Sequence, residues 1–335
     1  MIYSENAINI ITTKNYKGIG RAWIINNLKG NESIEEIVSL LNNKSKQKDI
    51  VTVDDFEFNR NQIIEQLNKL EDSCDGLIAI GDKNFPQYRG RVKASEQPIF
   101  IFYKGDIDLL AIDNNNITVI GLLNPDEEIE SREQKIVEKI VKQDITIVSG
   151  LAFGCDSIAH RQAIINGKTI AILPSPLNNI LPAKNRSLAS EILEEGGLLV
   201  SEYYENFKSK MELSSRYKER DRLQALFCDT IILIASYAQD SASRWKIYDQ
   251  KLDSGARLAM EYTRDYNIPS AVMYNQNIDI NNPMFDLNRE LIKEQKDIVI
   301  LNPKKLEEII NMIKEQKSNN VSSSLNQKSN KLPGF

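Results

Sequence analysis

The sequence predicts an α/β fold in which a mostly parallel sheet is covered by helices on both faces. From Ile117 onward, short continuous apolar runs alternate with amphipathic segments, a pattern typical of strands buried on both sides. Each run is followed by a loop that carries Gly, Ser, Pro or Asp. In such sheets the carboxyl-end loops form the ligand crevice, so we expect the functional residues there.

Four regions are expected along the chain. Residues 1–75 carry apolar side chains at three- to four-residue spacing and should form a small helical domain. Residues 76–302 should hold the sheet, 303–316 a last helix, and 317–335 a disordered tail rich in Ser, Asn and Lys. The predicted strands are Leu77–Ile80, Ile99–Tyr103, Ile117–Ile120, Ile145–Val148, Thr169–Leu173, Leu198–Val200, Thr230–Ile234 and Ser270–Met273. The predicted helices between the later strands are residues 128–143, 156–166, 185–195, 218–227 and 254–266.

The composition argues against several classes of protein. The chain has 335 residues, 41% of them apolar, which is enough for one large domain with appendages. Its 47 acidic against 42 basic residues give a net charge of −5, which argues against a nucleic-acid coat but allows a local basic patch. No apolar run reaches the roughly 18 residues of a membrane helix, and no signal-peptide pattern opens the sequence, so we expect a cytoplasmic protein with no membrane partner.

Cysteine and histidine are too scarce for several common chemistries. The three cysteines, Cys74, Cys155 and Cys228, are far apart, which argues against a disulfide framework or a zinc site and favours core positions. His160 is the single histidine, so a mechanism that needs two is excluded. We therefore predict no metal, no cofactor and no catalytic residues.

The strongest local signal is the segment Ser149–His160 (SGLAFGCDSIAH), which follows an apolar strand and opens a helix. Gly150 and Gly154 would let backbone N–H groups approach a ligand, and the helix N-terminus beyond them favours an anion such as phosphate. The residues leave open a second interpretation, a tight strand-to-helix turn with Asp156 as the cap. His160 could bind a ligand, act as a base or fix the loop through hydrogen bonds.

Five motifs follow one another between about residues 77 and 275. They are the SGLAxGxDxxAH segment, Thr169–Leu173, Leu181-Pro182 with Asn185, Gly197–Glu202 and Glu219–Leu223. In order and spacing they resemble the DNA-processing protein A family, also called Smf. The resemblance implies a Rossmann-like, doubly wound sheet and a non-enzymatic homodimer that binds single-stranded DNA. It also implies a RecA-type recombinase as partner, in natural transformation or recombination.

The resemblance also implies a ligand site. The family's Arg-Asn-Arg motif corresponds to Arg220-Asp221-Arg222, whose guanidinium groups would suit phosphate, and a base could stack on Tyr217. The alternative is an ordinary helix whose arginines pair with Glu219 and Asp221 on a solvated face. The expected ligand contacts are Gly121, Ser149, Gly150, Gly154, Lys184, Arg186, Arg216, Tyr217, Lys218, Arg220 and Arg222. The residues expected to fix loops are Asp156, His160, Ser201 and Glu202.

Three features depart from the family pattern. Gly121–Leu123 stands where the family has Gly-Ser/Thr-Arg, and the acidic Asp126–Glu128 follows, which should weaken binding to a polyanion. The family's Ser-Gly-Ser region is split between Ser241–Arg244 and Gly255–Glu261 by an insertion that contains Trp245. Many members carry a C-terminal winged-helix module, where this chain has one helix and a polar tail.

Two further interpretations stay open. The segment Tyr16–Arg21 contains the Gly-hydrophobic-Gly hairpin of helix-hairpin-helix modules, although a plain helix–helix turn is favoured. The missing arginine of the first loop would suit a sensor of nucleotides or nucleotide-derived signals, possibly in defence against foreign DNA. A nucleotide-cleaving enzyme ranks last, because the PGGxGTxxE motif of the related phosphoribohydrolases is absent.

Overall fold

The fold was analysed in a computed structural model, which describes residues 1–44, 50–248, 252 and 255–315. The tail expected over 317–335 lies outside the described residues. A single sheet of ten strands runs through the described part of the chain, in the order β1-β2-β3-β7-β6-β5-β4-β8-β9-β10. The strands are β1 (Ile2–Tyr3), β2 (Gly76–Ala79), β3 (Phe100–Gly105), β4 (Asn116–Ile120), β5 (Thr146–Ser149), β6 (Thr169–Leu173), β7 (Leu198–Ser201), β8 (Thr230–Leu233), β9 (Ser270–Met273) and β10 (Val299–Leu301).

The sheet is mostly parallel, as the sequence predicts. Only β3 runs antiparallel to its neighbours β2 and β7, and every other strand pair is parallel. The helices are α1 (Glu5–Lys14), α2 (Arg21–Asn27), α3 (Ile34–Asn42), α4 (Val53–Asn68), α5 (Glu127–Val141), α6 (Cys155–Ala163), α7 (Arg186–Glu194), α8 (Lys210–Leu226), α9 (Ser241–Trp245), α10 (Ala256–Tyr266), α11 (Gln276–Asp279), α12 (Asp286–Glu294) and α13 (303–315). Short 3₁₀ helices cover Glu71–Ser73, Ile107–Leu110, Ala183–Asn185 and Pro283–Phe285.

Two strands, Thr169–Leu173 and Ser270–Met273, have the bounds that the sequence predicts. Other elements begin or end at different residues or were not predicted. The edge strands β1 and β10 were not predicted. Strand β1 has two residues, whereas β10 lies in the four-residue apolar run Ile298–Leu301, to which no strand was assigned. Helix α8 begins at Lys210 rather than at 218. The Ser209 hydroxyl accepts a hydrogen bond from the Glu212 backbone N–H at 3.1 Å and caps the added turns.

Two apolar clusters lie on opposite faces of the sheet. Strand β6 contributes Ile170 and Ile172 to one cluster and Ala171 and Leu173 to the other, as alternation along a strand requires. The first cluster includes α5, α6 and α10. The second includes α7 and the N-terminal helices, and α1 packs directly on β2 and β3. The N-terminal helices therefore share a core with the sheet.

Strand order places the switch point of the sheet between β4 and β8. Strands β5, β6 and β7 lie on one side of β4, whereas β8 and β9 lie on the other. The parallel strands β4 to β9 all end at the same side, which we call the carboxyl edge. The loops after these strands meet there, and the candidate residues lie mainly on them.

One carboxyl group lies inside the first apolar cluster. Glu133 of α5 is fully buried, and within the described residues neither of its oxygens has a conventional N–H or O–H donor. Burial raises the pKa of Glu133 well above its usual value, and the weak Cys155 thiol donor offsets only part of the increase. The folded chain therefore favours the neutral acid.

We expect Glu133→Gln to raise the free energy of unfolding by about 1–3 kcal/mol at pH 8. Because the pKa of Glu133 is higher in the folded than in the unfolded chain, the wild-type protein is most stable below the unfolded pKa of about 4.3. Its free energy of unfolding declines as the pH rises from there toward the folded-state pKa. The gain should therefore vanish at pH 4. Urea unfolding at both pH values measures it, and Glu127→Gln at the exposed start of α5 is the control. An equal effect of Glu133→Gln at both pH values would contradict the prediction.

Candidate functional site

The glycine loop after β5 is closed by its own side chains. One carboxylate oxygen of Asp156 accepts hydrogen bonds from the backbone N–H groups of Gly150 at 3.2 Å and Ala152 at 3.3 Å. Burial raises the pKa of Asp156, and the nearby Arg220 charge opposes that rise. Two of the N–H groups that the sequence assigns to phosphate thus already have a carboxylate partner, which fits a tight turn. Asp156 is not the helix cap, however, because it lies in the first turn of α6, whose N-cap residue is Gly154.

His160 also fixes the glycine loop through hydrogen bonds. The Leu151 backbone N–H donates to His160 Nε2 at 3.3 Å, and Nδ1 lies 2.7 Å from the Thr169 hydroxyl. Because that hydroxyl donates to the Ile147 carbonyl at 2.8 Å, Nδ1 carries the imidazole proton. Burial, with a smaller contribution from the Arg220 charge, lowers the pKa of His160 to about 3. The imidazole is therefore neutral at physiological pH and links β5, β6 and α6.

The small residues of this edge fill tight spaces. A Cβ on Gly121 would lie 2.6 Å from the Cys155 sulfur, and a Cβ on Gly154 would lie 2.1 Å from the Leu122 carbonyl oxygen. Gly154 also has a φ of +68°, which L-residues rarely adopt. Ser149 is buried and donates to the Val119 carbonyl at 2.7 Å. The two glycine contacts pack α6 against the loop after β4, whereas the Ser149 hydrogen bond joins β5 to β4. A ligand role for these residues stays a prediction.

Arg220 lies against the glycine loop. A Cβ on Gly150 would lie 1.2 Å from its Nη1 atom, so glycine at 150 makes room for the guanidinium. Arg220 Nη1 is 3.7 Å from an Asp156 oxygen, and Nε is 3.3 Å from Asp221. The guanidinium carbon lies 5.5 Å from the centre of the half-buried Tyr217 ring. Arg220 thus connects α8 to the turn that Asp156 closes.

Arg222 belongs to a buried ion-pair network. Its Nη2 atom donates to both oxygens of Glu202, at 2.7 and 2.6 Å, and only 1% of its side chain is exposed. Arg21 of α2 lies 3.4 Å from Glu202 and 2.8 Å from Glu219. Glu202 follows β7, where the Ser201 hydroxyl fixes the turn by donating to the Ser175 carbonyl at 2.8 Å. The network therefore joins α2, α8 and the loop after β7.

The third arginine of the cluster, Arg216, is also buried. It donates to Glu212 at 2.6 Å and to the Glu205 carbonyl at 2.7 Å, and its guanidinium carbon lies 4.3 Å from the Tyr203 ring centre. The arginines of α8 therefore pair with carboxylates, as the alternative of an ordinary helix predicted. These arginines are buried, however, and do not lie on a solvated face. Whether Arg216, Arg220 and Arg222 contact a ligand stays a prediction, and each already has a carboxylate partner.

Exposed cations and an aromatic ring occupy the outer part of the carboxyl edge. Lys184 and Arg186 are exposed at the start of α7, and Lys218 is exposed on α8 beside Tyr217. Between the first two, the Asn185 amide donates to the carbonyls of Leu151 at 2.8 Å and Ala152 at 3.2 Å, which fastens this segment to the glycine loop. The next loop residue, Phe153, is 41% exposed. Sequence reasoning missed Phe153, although its place between the two glycines was a signal.

Two other predicted features have local partners. Asp126, one of the acidic residues of the first loop, caps α5 by accepting from the Ile129 backbone N–H at 2.8 Å. In the N-terminal hairpin, Ile19 is buried and the Lys44 ammonium donates to the Gly18 carbonyl. Both features have structural roles, and neither requires a ligand.

The insertion near Trp245 lies partly outside the described residues. The Trp245 indole N–H donates to Asp286 at 2.7 Å, which ties α9 to α12. Within the described ranges, no three His, Cys, Asp or Glu side chains are grouped so that they could hold a metal ion. Among the same residues, no helix has the length and apolar character needed to cross a bilayer.

The comparisons with known proteins agree with this architecture. Protein Smf of Escherichia coli is 32% identical over 149 residues, which are 44% of this chain and 39% of the relative. DNA processing protein DprA of Streptococcus pneumoniae is 29% identical over 187 residues, which are 53% of this chain and 58% of the relative. The chain thus spans about half the length of the curated relatives it matches.

Solved structures share the fold. The X-ray structure of DNA processing protein A from Streptococcus pneumoniae aligns with a TM-score of 0.62 at 21% identity and covers 89% of this chain and 95% of that one. A structure of DNA processing protein A from Helicobacter pylori aligns with a TM-score of 0.52 at 23% identity, over 70% of this chain and 99% of that one. The family model described as DNA recombination-mediator protein A matches residues 76–314. The chain belongs to the DNA recombination-mediator protein A family.

Proposed function

We propose that the chain binds single-stranded DNA at the outer part of its carboxyl edge and acts in DNA processing without catalysing a reaction. Family membership supports the class of function, and the Helicobacter pylori relative was solved for its single-stranded DNA binding mode. The observation that carries the proposal is the exposure of Lys184 and Arg186, which flank the Asn185 contact with the loop of the exposed Phe153 ring, together with the exposure of Lys218 next to the half-buried Tyr217 on α8.

This combination suits a single strand better than a duplex. Cationic side chains can follow the phosphates, and aromatic rings can stack on bases that no complementary strand covers. The buried arginines would act indirectly, since they hold the glycine loop and α8 in place. The net charge of −5 makes this binding local and sensitive to salt.

Three further proposals rest on the family resemblance. They are a RecA-type recombinase as partner, a homodimer as the assembly, and the cytoplasm as the place of action. Nothing in the comparisons favours the nucleotide-sensor alternative.

Removal of the three exposed cations should weaken DNA binding. For Lys184→Ala/Arg186→Ala/Lys218→Ala we expect at least about tenfold weaker binding to single-stranded DNA near 0.1 M salt. The slope of log affinity against log salt should fall by about 2, because each phosphate contact on a single strand contributes about 0.7. Fluorescence-anisotropy titration of a labelled oligonucleotide at several salt concentrations measures both quantities.

A matched variant removes the same charge from the opposite edge. Lys142, Lys168 and Arg264 are exposed and precede the amino ends of β5, β6 and β9. Their triple alanine variant should keep wild-type affinity and slope. Equal losses in both triple variants would place binding elsewhere. Negligible retention of DNA by the wild type, together with saturable thermal stabilisation by a nucleotide or cyclic dinucleotide, would favour the sensor instead.

A further inference from the structure

A polar cavity lies between the N-terminal helices and the segment after β7. Its volume is about 340 Å³, near the lower end of the roughly 300–1,000 Å³ of ligand sites. The residues that carry the argument are Asn15, Tyr16, Asn59, Gln62, Gln66 and Tyr204. The cavity thus combines amide side chains with two phenol rings, and it is distinct from the glycine loop.

The cavity lining matches the chemistry of a nucleobase. Amide side chains offer a donor and an acceptor together, as the edge of a base does, and tyrosine rings offer a face for stacking. The Gln66 Oε1 atom is buried, and within the described residues it has no hydrogen-bond partner. A donor supplied by a ligand would satisfy this oxygen.

Both tyrosine rings are held in place before any ligand arrives. Tyr16 stacks on Phe56 with ring centres 6.0 Å apart and an interplanar angle of 7°, and its hydroxyl accepts from the Asn59 amide at 3.0 Å. The Tyr204 hydroxyl accepts from the Asn15 amide at 3.1 Å. Fixed rings lose little conformational freedom on binding, which favours stacking.

The cavity is connected to the cationic outer part of the carboxyl edge. The loop between β6 and α7 reaches the segment after β7 through the Asn179 amide, which donates to Asn206 at 2.8 Å. Asn206 adjoins Glu205, a residue of the cavity wall whose carbonyl accepts from Arg216 of α8. The loop that precedes Arg186 thus contacts the segment that contributes Glu205 to the cavity wall.

We propose that this cavity receives one unpaired nucleobase of the bound DNA strand, stacked beside Tyr16 or Tyr204 and hydrogen-bonded by the amides. The proposal rests on the proposed function and extends the strand's path to the N-terminal helices. A base in a duplex could not enter the cavity, so the cavity adds selectivity for single strands. A strand bound only through phosphates would not need these residues.

The first test compares oligonucleotides of equal length with and without central bases. In Asn59→Ala/Gln62→Ala, the affinity advantage of the base-containing strand over the abasic strand should fall by about tenfold. Affinity for the abasic strand should stay at the wild-type value. The matched control is Asn61→Ala/Asn68→Ala, which removes two exposed amides of α4 outside the cavity lining and should behave as wild type.

A second readout locates the base directly. Oligonucleotides with 5-iodouracil at single positions should photo-crosslink to Tyr16 or Tyr204, as mapped by mass spectrometry. An unchanged base advantage in Asn59→Ala/Gln62→Ala, with crosslinks only at Phe153 or Tyr217, would overturn the base cavity and leave the proposed function intact. If the wild type retains no oligonucleotide, the proposed function fails and the base cavity fails with it.

Discussion

Glu202→Ala is expected to lower the free energy of unfolding by about 3–5 kcal/mol. Arg222 is 1% exposed, and Glu202 meets it at 2.6 and 2.7 Å. Without that carboxylate the buried guanidinium keeps only Glu219, 3.6 Å from its Nε atom. A buried charge that loses its main partner is far more costly than the pair itself is stabilising. Urea unfolding at neutral pH, followed by circular dichroism, measures the loss.

Two comparisons make this expectation specific. Glu138→Ala breaks the pair with Lys142, in which both side chains are more than 40% exposed, and should leave the free energy of unfolding nearly unchanged. The double variant Glu202→Leu/Arg222→Met should cost less than the sum of its single changes, because apolar side chains then replace both charges. Additive losses in the double variant, or a Glu202→Ala effect as small as that of Glu138→Ala, would show that the pair is not a buried unit.

Gly154→Ala should lower the free energy of unfolding by about 3 kcal/mol or more. The φ of +68° with ψ of −129° is unfavourable for any residue with a Cβ. The added Cβ would also lie 2.1 Å from the Leu122 carbonyl oxygen and 2.5 Å from the Leu123 backbone, which cannot move aside as a flexible side chain could. Thermal and urea unfolding of the purified variant test this expectation.

Gly196 provides the matched control. Its φ is +72°, but a Cβ there would meet only the flexible end of Lys168, at 3.7 Å. Gly196→Ala therefore isolates the backbone strain and should cost about 1–2 kcal/mol. If both alanine variants lose the same stability, the contact with the loop after β4 contributes nothing and our account of Gly154 is wrong.

The sequence predicted strands well where burial is two-sided. The run Thr169–Leu173 is buried throughout and apolar from Ile170 onward because both of its faces contact core, and its bounds were predicted without error. Val299–Leu301 pairs with β9 at the edge of the sheet and is only partly buried, but it continues the apolar run from Ile298, so a signal for this strand was present in the sequence. The early start of α8 depends on the Ser209 cap, which lies eight residues before Tyr217, in a polar stretch that offers no helical apolar spacing.

The candidate site was harder to predict because its decisive contacts are distant in sequence. From the sequence, Arg222 suggests a phosphate contact. In the structure its guanidinium donates instead to Glu202, which lies 20 residues earlier in the chain. Asp156 could equally face a ligand or its own loop, and only the folded geometry shows that it accepts from Gly150 and Ala152. Motif spacing therefore identifies the family, whereas burial determines which cations are accessible.

This burial also affects how alanine variants should be interpreted. Loss of DNA binding after removal of Arg220 or Arg222 would not separate a contact with the strand from collapse of the loop that these residues support. Lys184, Arg186 and Lys218 are exposed, so their removal should leave the fold intact. They are the appropriate residues for testing DNA contact.

The shared core beneath the N-terminal helices has a consequence for how the chain can be divided. The family model matches from residue 76 onward, yet Ile8 and Ile11 of α1 belong to the same apolar cluster as Leu77 and Phe102. A recombinant fragment that starts at residue 76 would present that apolar face to water and invite aggregation. We therefore expect that a chain cut where the family model begins would not fold separately from the N-terminal helices.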